Sequence, residues 1–202
     1  MTEAVEDAAL VRAEAGRLER EGRLGACRGF IQHGDVTVYA HVMSVALESC
    51  RMARRLERAG VRVDKASLVR GALLHDYFLY DWHYDGDGSH KLHGFTHPRR
   101  ALMNALQDFE LNEVERNSIL RHMFPLTPIP PKYIEGYLVT MADKISATRE
   151  TFSLARFSRP QLAPVPERLA LTAGVDPASV RFASVSHEQD SRREAGSREE
   201  TR

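Results

Sequence analysis

Along the chain the polar and apolar positions alternate mostly at helical steps of three and four. Residues 3–23 carry Ala, Val and Leu on one side of an otherwise charged stretch that ends at Gly22 and Gly25, which predicts a first helix lying on the main body. From Asp35 to Leu56 the positions Val38, Val42, Val45, Ser49, Met52 and Leu56 form one stripe, and His41 borders it, so its side chain is expected to point inward. Gly60 closes that helix. Asp64 is a suitable N-cap for the next, which runs through Leu68, Val69, Ala72 and Leu73 to His75. The stretch 77–97 has no helical period, many aromatics and several Gly and Asp-Gly turn signals, and it reads as a long loop. Pro98 suits the first turn of a helix reaching Asp108, and Asn112 with Glu115 three residues later resembles a capping box for a helix ending at His122. PLTPIPP, residues 125–131, is a stiff connector that cannot be helical. A last strong helix is predicted over 132–157, with Gly136, Val139, Thr140, Asp143 and Ala147 on one face; their small size lets neighbours approach closely and places the Asp143 carboxylate in the interior. The expected fold is an all-α bundle. The N-terminal helix occupies 1–24 and the main domain 25–160; an extension follows over 161–184, with a short helix near 165–173, and then a polar, disordered tail over 185–202.

Composition narrows what this bundle does. Its 202 residues suffice for one domain with a real core. Lys plus Arg number 28 and Asp plus Glu 28, so there is no basic footprint for duplex nucleic acid. No stretch approaches the run of roughly 18 apolar residues that a membrane helix needs, and the acidic start does not resemble a signal peptide, so a cytoplasmic protein is expected. Cys27 and Cys50 lack metal-ribbon spacing and read as ordinary reduced thiols.

The histidines change the picture. Seven of the nine fall between His33 and His97, and an eighth is His122. The inward-facing candidates are His41, the pair His75 and Asp76, then His97, His122 and Asp143, drawn from five segments. Imidazoles and carboxylates suit Fe, Mn, Co, Ni or Zn, and without paired cysteines a catalytic centre is a better reading than a structural zinc site. No GxSxG elbow, P-loop or kinase signature competes with it.

A first His, a His-Asp doublet ending an apolar helix and a later Asp within ADK resemble the HD superfamily, and the resemblance covers residues 33–150. It implies a helical bundle with a metal site between helices, and an activity as a metal-dependent phosphohydrolase. By the same resemblance His41, His75, Asp76 and Asp143 would hold a first divalent ion, Asp76 would bridge, and His97 with His122 would hold a second. Asp76 and Lys144 are then the candidate catalytic residues, and Lys144 and Arg99 the candidate contacts to a small phosphorylated substrate such as a nucleotide. The cyclic-dinucleotide branch carries Gly and Lys after the doublet and a Gly-Tyr-Pro signature; here Tyr77, Phe78 and Leu79 follow, so that substrate is disfavoured. The chain is most similar to small bacterial HD-domain proteins.

Each residue also has a plainer reading. His75 and His122 would serve as helix C-terminal caps, and His97 as a loop side chain beside Pro98. His83, His90 and His93 read as solvated loop residues. Arg99, Arg100 and Lys144 would be surface charges, at most one of the two arginines facing the site, while Tyr77, Phe78, Tyr80, Trp82 and Tyr84 could cover the core or stack on a base. Two other functions stay open: a di-iron oxygenase that uses the same six ligands, and a metal-binding regulatory module without turnover. Oligomeric state is not encoded legibly.

Overall fold

The computed structural model describes residues 2–33, 35–80 and 93–151; the possible helix at 165–173, the polar tail and the aromatic positions Trp82 and Tyr84 lie outside the described residues. The fold is predominantly helical. Among the described residues, six helices, α1 (Glu3–Glu21), α2 (Val38–Arg58), α3 (Lys65–Leu74), α4 (His93–Asp108), α5 (Glu113–Arg121) and α6 (Ile134–Thr151), are accompanied by a 3-10 turn (Leu24–Gly29) and a two-stranded antiparallel ribbon, β1 (Ile31–His33) and β2 (Val36–Thr37).

Helix α2 is the centre of the bundle. It packs most extensively on α3 and α6, with α1 on a further side, while α5 closes the layer by packing on α3, α6 and α4. Val38, Val42, Val45 and Ser49 are buried as their stripe requires, and His41 is buried among them. In α1 the buried positions Asp7, Val11, Ala15 and Leu18 recur at steps of four, four and three. Asp7 is tolerated there because Arg54 of α2 pairs with it, with Lys65 3.7 Å away.

Three starts differ from the sequence reading. Helix α2 begins at Val38, because residues 36–37 pair with β1 and the Thr37 side chain accepts the Ala40 N–H at 3.2 Å as the N-cap. Helix α4 begins at His93, five residues before Pro98, which therefore lies inside the helix and leaves the Gly94 carbonyl without its usual donor. Gly94 lies so close to Leu126 that a Cβ there would come within 3.0 Å of the leucine side chain, and this packing supports the extra turn. The last helix starts at Ile134, two residues later than expected, and its extension beyond Thr151 lies outside the described residues.

Local signals set the remaining ends. Asp64 accepts the Ser67 N–H at 3.1 Å, and the capping box of Asn112 and Glu115 is complete in both directions, at 2.9 and 3.0 Å. Asn112 also donates to Ser67 Oγ at 2.8 Å, which ties the start of α5 to the start of α3. Gly71 lets the two helices approach, since a Cβ there would stand 3.0 Å from that of Ser118. Two parallel starts and a close crossing bring the two far ends together, and those ends carry His75 and His122. No described helix is long and apolar enough to cross a membrane.

Replacing Asn112 with alanine removes the side-chain acceptor for the Glu115 N–H and the link to Ser67, while keeping the backbone N–H that Glu115 accepts, and is expected to cost about 1–2 kcal/mol. A urea-unfolding midpoint that does not move would show that the α5 start is set elsewhere.

Candidate metal centre

Five elements deliver six side chains to one buried point. His41 comes from the second turn of α2, His75 and Asp76 from the end of α3, His97 from α4, His122 from the end of α5, and Asp143 from the middle of α6. His41, His75, Asp76, His97 and His122 are all buried, and the Asp143 side chain is 13 % exposed. All six predicted ligands are thus brought together. Two overlapping groups, His41 with His75 and Asp143, and His75 with Asp76 and His122, have ligand atoms within 4.8 Å of one another, close enough to hold a metal ion.

His75 and His122 are prepared in the same way. Each directs Nδ1 back to the carbonyl three residues earlier, Ala72 at 2.7 Å and Ile119 at 2.8 Å. In the neutral ring this places the proton on Nδ1 and leaves the Nε2 lone pair facing the centre. His75 Nε2 is buried without a hydrogen-bond partner, as is Asp76 Oδ1. A protein does not ordinarily bury unsatisfied polar atoms, and aiming both at one cluster fits a cation between them.

Asp76 divides the cluster. Its Oδ2 lies 3.5 Å from His75 Nε2 and 3.8 Å from His41 Nε2, while its Oδ1 lies 3.2 Å from His97 Nε2 and 3.6 Å from His122 Nε2. Asp143 Oδ1 stands 3.2 Å from His41 Nε2 and 3.8 Å from His75 Nε2. Ligands held about 2.1 Å from one ion are spaced by roughly 3–4 Å, so these separations fit a metal better than a direct hydrogen-bond network. Direct hydrogen bonds do join two pairs, His41 with Asp143 and His97 with His122, whose Nε2 atoms are 2.8 Å apart.

The electrostatics are those of a site made for positive charge. Burial works against ionising Asp76, but the imidazoles of His75, His97 and His122 outweigh it and hold the carboxyl well below its ordinary range. Asp143 is likewise held low, with burial opposed by the hydrogen bond from His41 and by the nearby His75 imidazole. Burial also opposes protonation of His41, yet Asp143 and Glu150 raise it to about 10. His122 goes the other way, to about 3, because it is desolvated and adjoins His75 and His97.

Three supporting residues were missed in the sequence. Glu150 accepts from His41 Nδ1 at 2.7 Å. It lies seven residues after Asp143, on the same face of α6, so the helical period contained the signal. Asn104, seven after His97 on α4, donates to the carbonyls of Tyr77 and Phe78 at 3.0 and 2.9 Å. It thereby holds the turn after the doublet, where Leu79 takes a positive φ of 56°. Gln32, on β1, donates to Asp76 Oδ2 at 2.7 Å, and nothing in its sequence context marks it.

The proposed substrate contacts separate. Lys144 lies at the rim, its ammonium donating to the His122 carbonyl at 3.2 Å, with burial lowering its pKa against the pull of Asp143. Arg99 is exposed and lies about 200° around α4 from His97, on the opposite side. Arg100 shares the His97 flank and stacks over the Tyr80 ring at 5.0 Å. Tyr77 is not available to a ligand: it is fully buried, donating to Asp108 at 2.6 Å and accepting from the Arg23 N–H at 2.6 Å. Phe78 is buried edge-on to His97, with ring centres 6.0 Å apart. Cys27 and Cys50 are buried free thiols pushed up to about 12 by desolvation. His83 and His90 lie outside the described residues, and His93 opens α4. Compared with known protein families, characterised proteins and solved structures, the chain shows no match.

A metal entering at His41 Nε2 must displace a proton that the metal-free site retains up to about pH 10. Affinity is therefore expected to rise with pH through neutrality, by up to about tenfold per pH unit for each proton displaced. Calorimetric titration in buffers of different ionisation enthalpy should detect at least one proton released with the first ion. Binding that releases none and is flat between pH 6 and 8 would place the ion elsewhere.

Proposed function

We propose that the chain is a metal-dependent phosphohydrolase of the HD-superfamily kind, acting on a small phosphoester. The observation that carries this reading is the division of Asp76, one carboxylate oxygen toward His41 and His75 and the other toward His97 and His122. A carboxylate so placed is a natural bridge between two ions. His41, His75 and Asp143 would complete the first set, and His97 and His122 the second.

When bound, such ions supply Lewis acidity, which lowers the pKa of water toward neutrality and clamps a phosphoryl oxygen. The chain's own residues do the rest. The Ala72 and Ile119 carbonyls fix the rings of His75 and His122, and Glu150 fixes that of His41, so the ligand nitrogens are oriented before any ion arrives. Phe78 and Tyr80, packed at a tilt with ring centres 5.0 Å apart, form an apolar wall beside His97 that limits water. Among the described residues, Lys144 at the rim and Arg100 on the His97 flank are the cations placed to meet an entering phosphate, and Arg100 replaces Arg99 in that role.

Purified protein is expected to hold between one and two equivalents of Mn, Fe, Co, Ni or Zn. Loaded protein should release phosphate from a member of a panel of phosphomonoesters and small phosphodiesters. Asp76→Ala and Asp143→Ala should each abolish that release, by at least about a hundredfold. Elemental analysis of His97→Ala and His122→Ala should show loss chiefly of the second ion. A metal content near zero, with no uptake on reconstitution, would sink the reading. Oxygen consumption with oxidation of the substrate and no phosphate release from any ester would replace it with the oxygenase.

A further inference from the structure

Gln32 has no part in the ligand set, yet it touches the residue on which that set depends. It sits on the short strand β1, its side chain is buried, and its Nε2 donates to Asp76 Oδ2 at 2.7 Å. Its other amide atom, Oε1, is buried with no hydrogen-bond partner. The orientation of the amide is fixed by chemistry, because an ionised carboxylate accepts only, so the nitrogen must face Asp76. Since the two amide heteroatoms are about 2.3 Å apart, Oε1 then lies within about 5 Å of Asp76 Oδ2. A buried carbonyl left without a donor is costly, so the position calls for one.

We propose that Gln32 is a positioning residue of the centre. Its amide N–H holds the Asp76 carboxylate in the divided orientation, and its carbonyl accepts a hydrogen bond from the group bound at the metal, a water or a hydroxyl. This rests on the metal-centre reading above. The ribbon of β1 and β2 acquires a reason as well: three residues of extended chain carry one side chain into the bundle from a direction that no helix supplies.

The test is a cobalt(II) titration of full-length wild type, Gln32→Leu and Gln32→Asn, followed by the visible d–d bands. Leucine keeps the bulk without the amide, and asparagine keeps the amide one methylene too far back. Both variants are expected to bind cobalt about 10–100-fold more weakly. Their bands should shift in position or intensity, and the pH at which the bound water ionises should move by about a unit, changes that general loosening of the fold does not produce. If wild type takes up no cobalt, the metal reading falls and this proposal with it. If wild type binds and both variants match it in affinity, bands and pH profile, the role of Gln32 alone is overturned. Circular dichroism and urea midpoints of the metal-free proteins accompany the titration: if leucine fails to fold, asparagine decides, and if neither folds, Gln32 is a packing residue and the proposal fails.

Discussion

The constraint behind the whole arrangement is the burial of two carboxylates, Asp76 and Asp143, among four imidazoles. An ionised carboxylate withdrawn from water is costly unless it is paired and hydrogen-bonded, and a buried imidazole resists protonation for the same reason. Here the carboxylates are held ionised mainly by the histidines around them, with Gln32 also donating to Asp76, and His41 is held protonated by the carboxylates beside it. The metal-free cluster therefore holds together by mutual charge compensation. Its mixed protonation, with His41 raised and His122 lowered, is what results when more ligands are gathered than protons can satisfy. A divalent ion relieves the conflict by replacing protons with one concentrated charge.

The bundle meets this constraint by ending helices at the site. Helices α3 and α5 both finish on a histidine that caps its own last turn, start at a mutually bonded pair, Ser67 and Asn112, and cross closely at Gly71. The bland reading of His75 and His122 as C-terminal caps is thus true of one ring nitrogen. It leaves the other turned to the centre, so the side chain that caps is also placed to hold a metal. The rings meet with centres 4.9 Å apart. A change at the helix starts, some fifteen Å of helix away by the usual rise per residue, should be felt as a shift in these rings.

What was legible in the sequence follows from where the signal is local. Helix periods, the Asp64 cap and the Asn112 box depend on neighbours within four residues, and those features stand where the pattern puts them. Five of the six inward side chains were legible because each lies on a strong period or at a helix end, whereas His97 fell at the close of the stretch read as a loop and was named for its place before Pro98 and in the resemblance. The ribbon was not, since three-residue strands pair only once the chain between them has turned, and no alternation is long enough to mark them. The α4 start was misread because Pro98 is a strong local signal for a first turn, and packing of Gly94 against Leu126, about thirty residues away in sequence, outweighed it. Arg99 was named from proximity to His97 in sequence, where the helical angle favours Arg100. Gln32 was invisible because its importance is entirely tertiary.

Within the proposed two-ion reading, charge arithmetic bears on the nucleophile independently of Lys144 and the arginines. With every histidine neutral and ligating, two divalent ions against Asp76 and Asp143 would leave an excess of two positive charges, and Glu150 behind His41 would reduce that to one. A site this deeply buried would not hold such an excess without an anion close by. One hydroxide would cancel it, so the nucleophile of the proposed phosphohydrolase would also be the counter-ion that the cluster requires. A phosphoester would then bring negative charge beyond what the ions balance, and the cations placed to take it up in that reading are Lys144, which donates to the His122 carbonyl, and Arg100, over the Tyr80 ring.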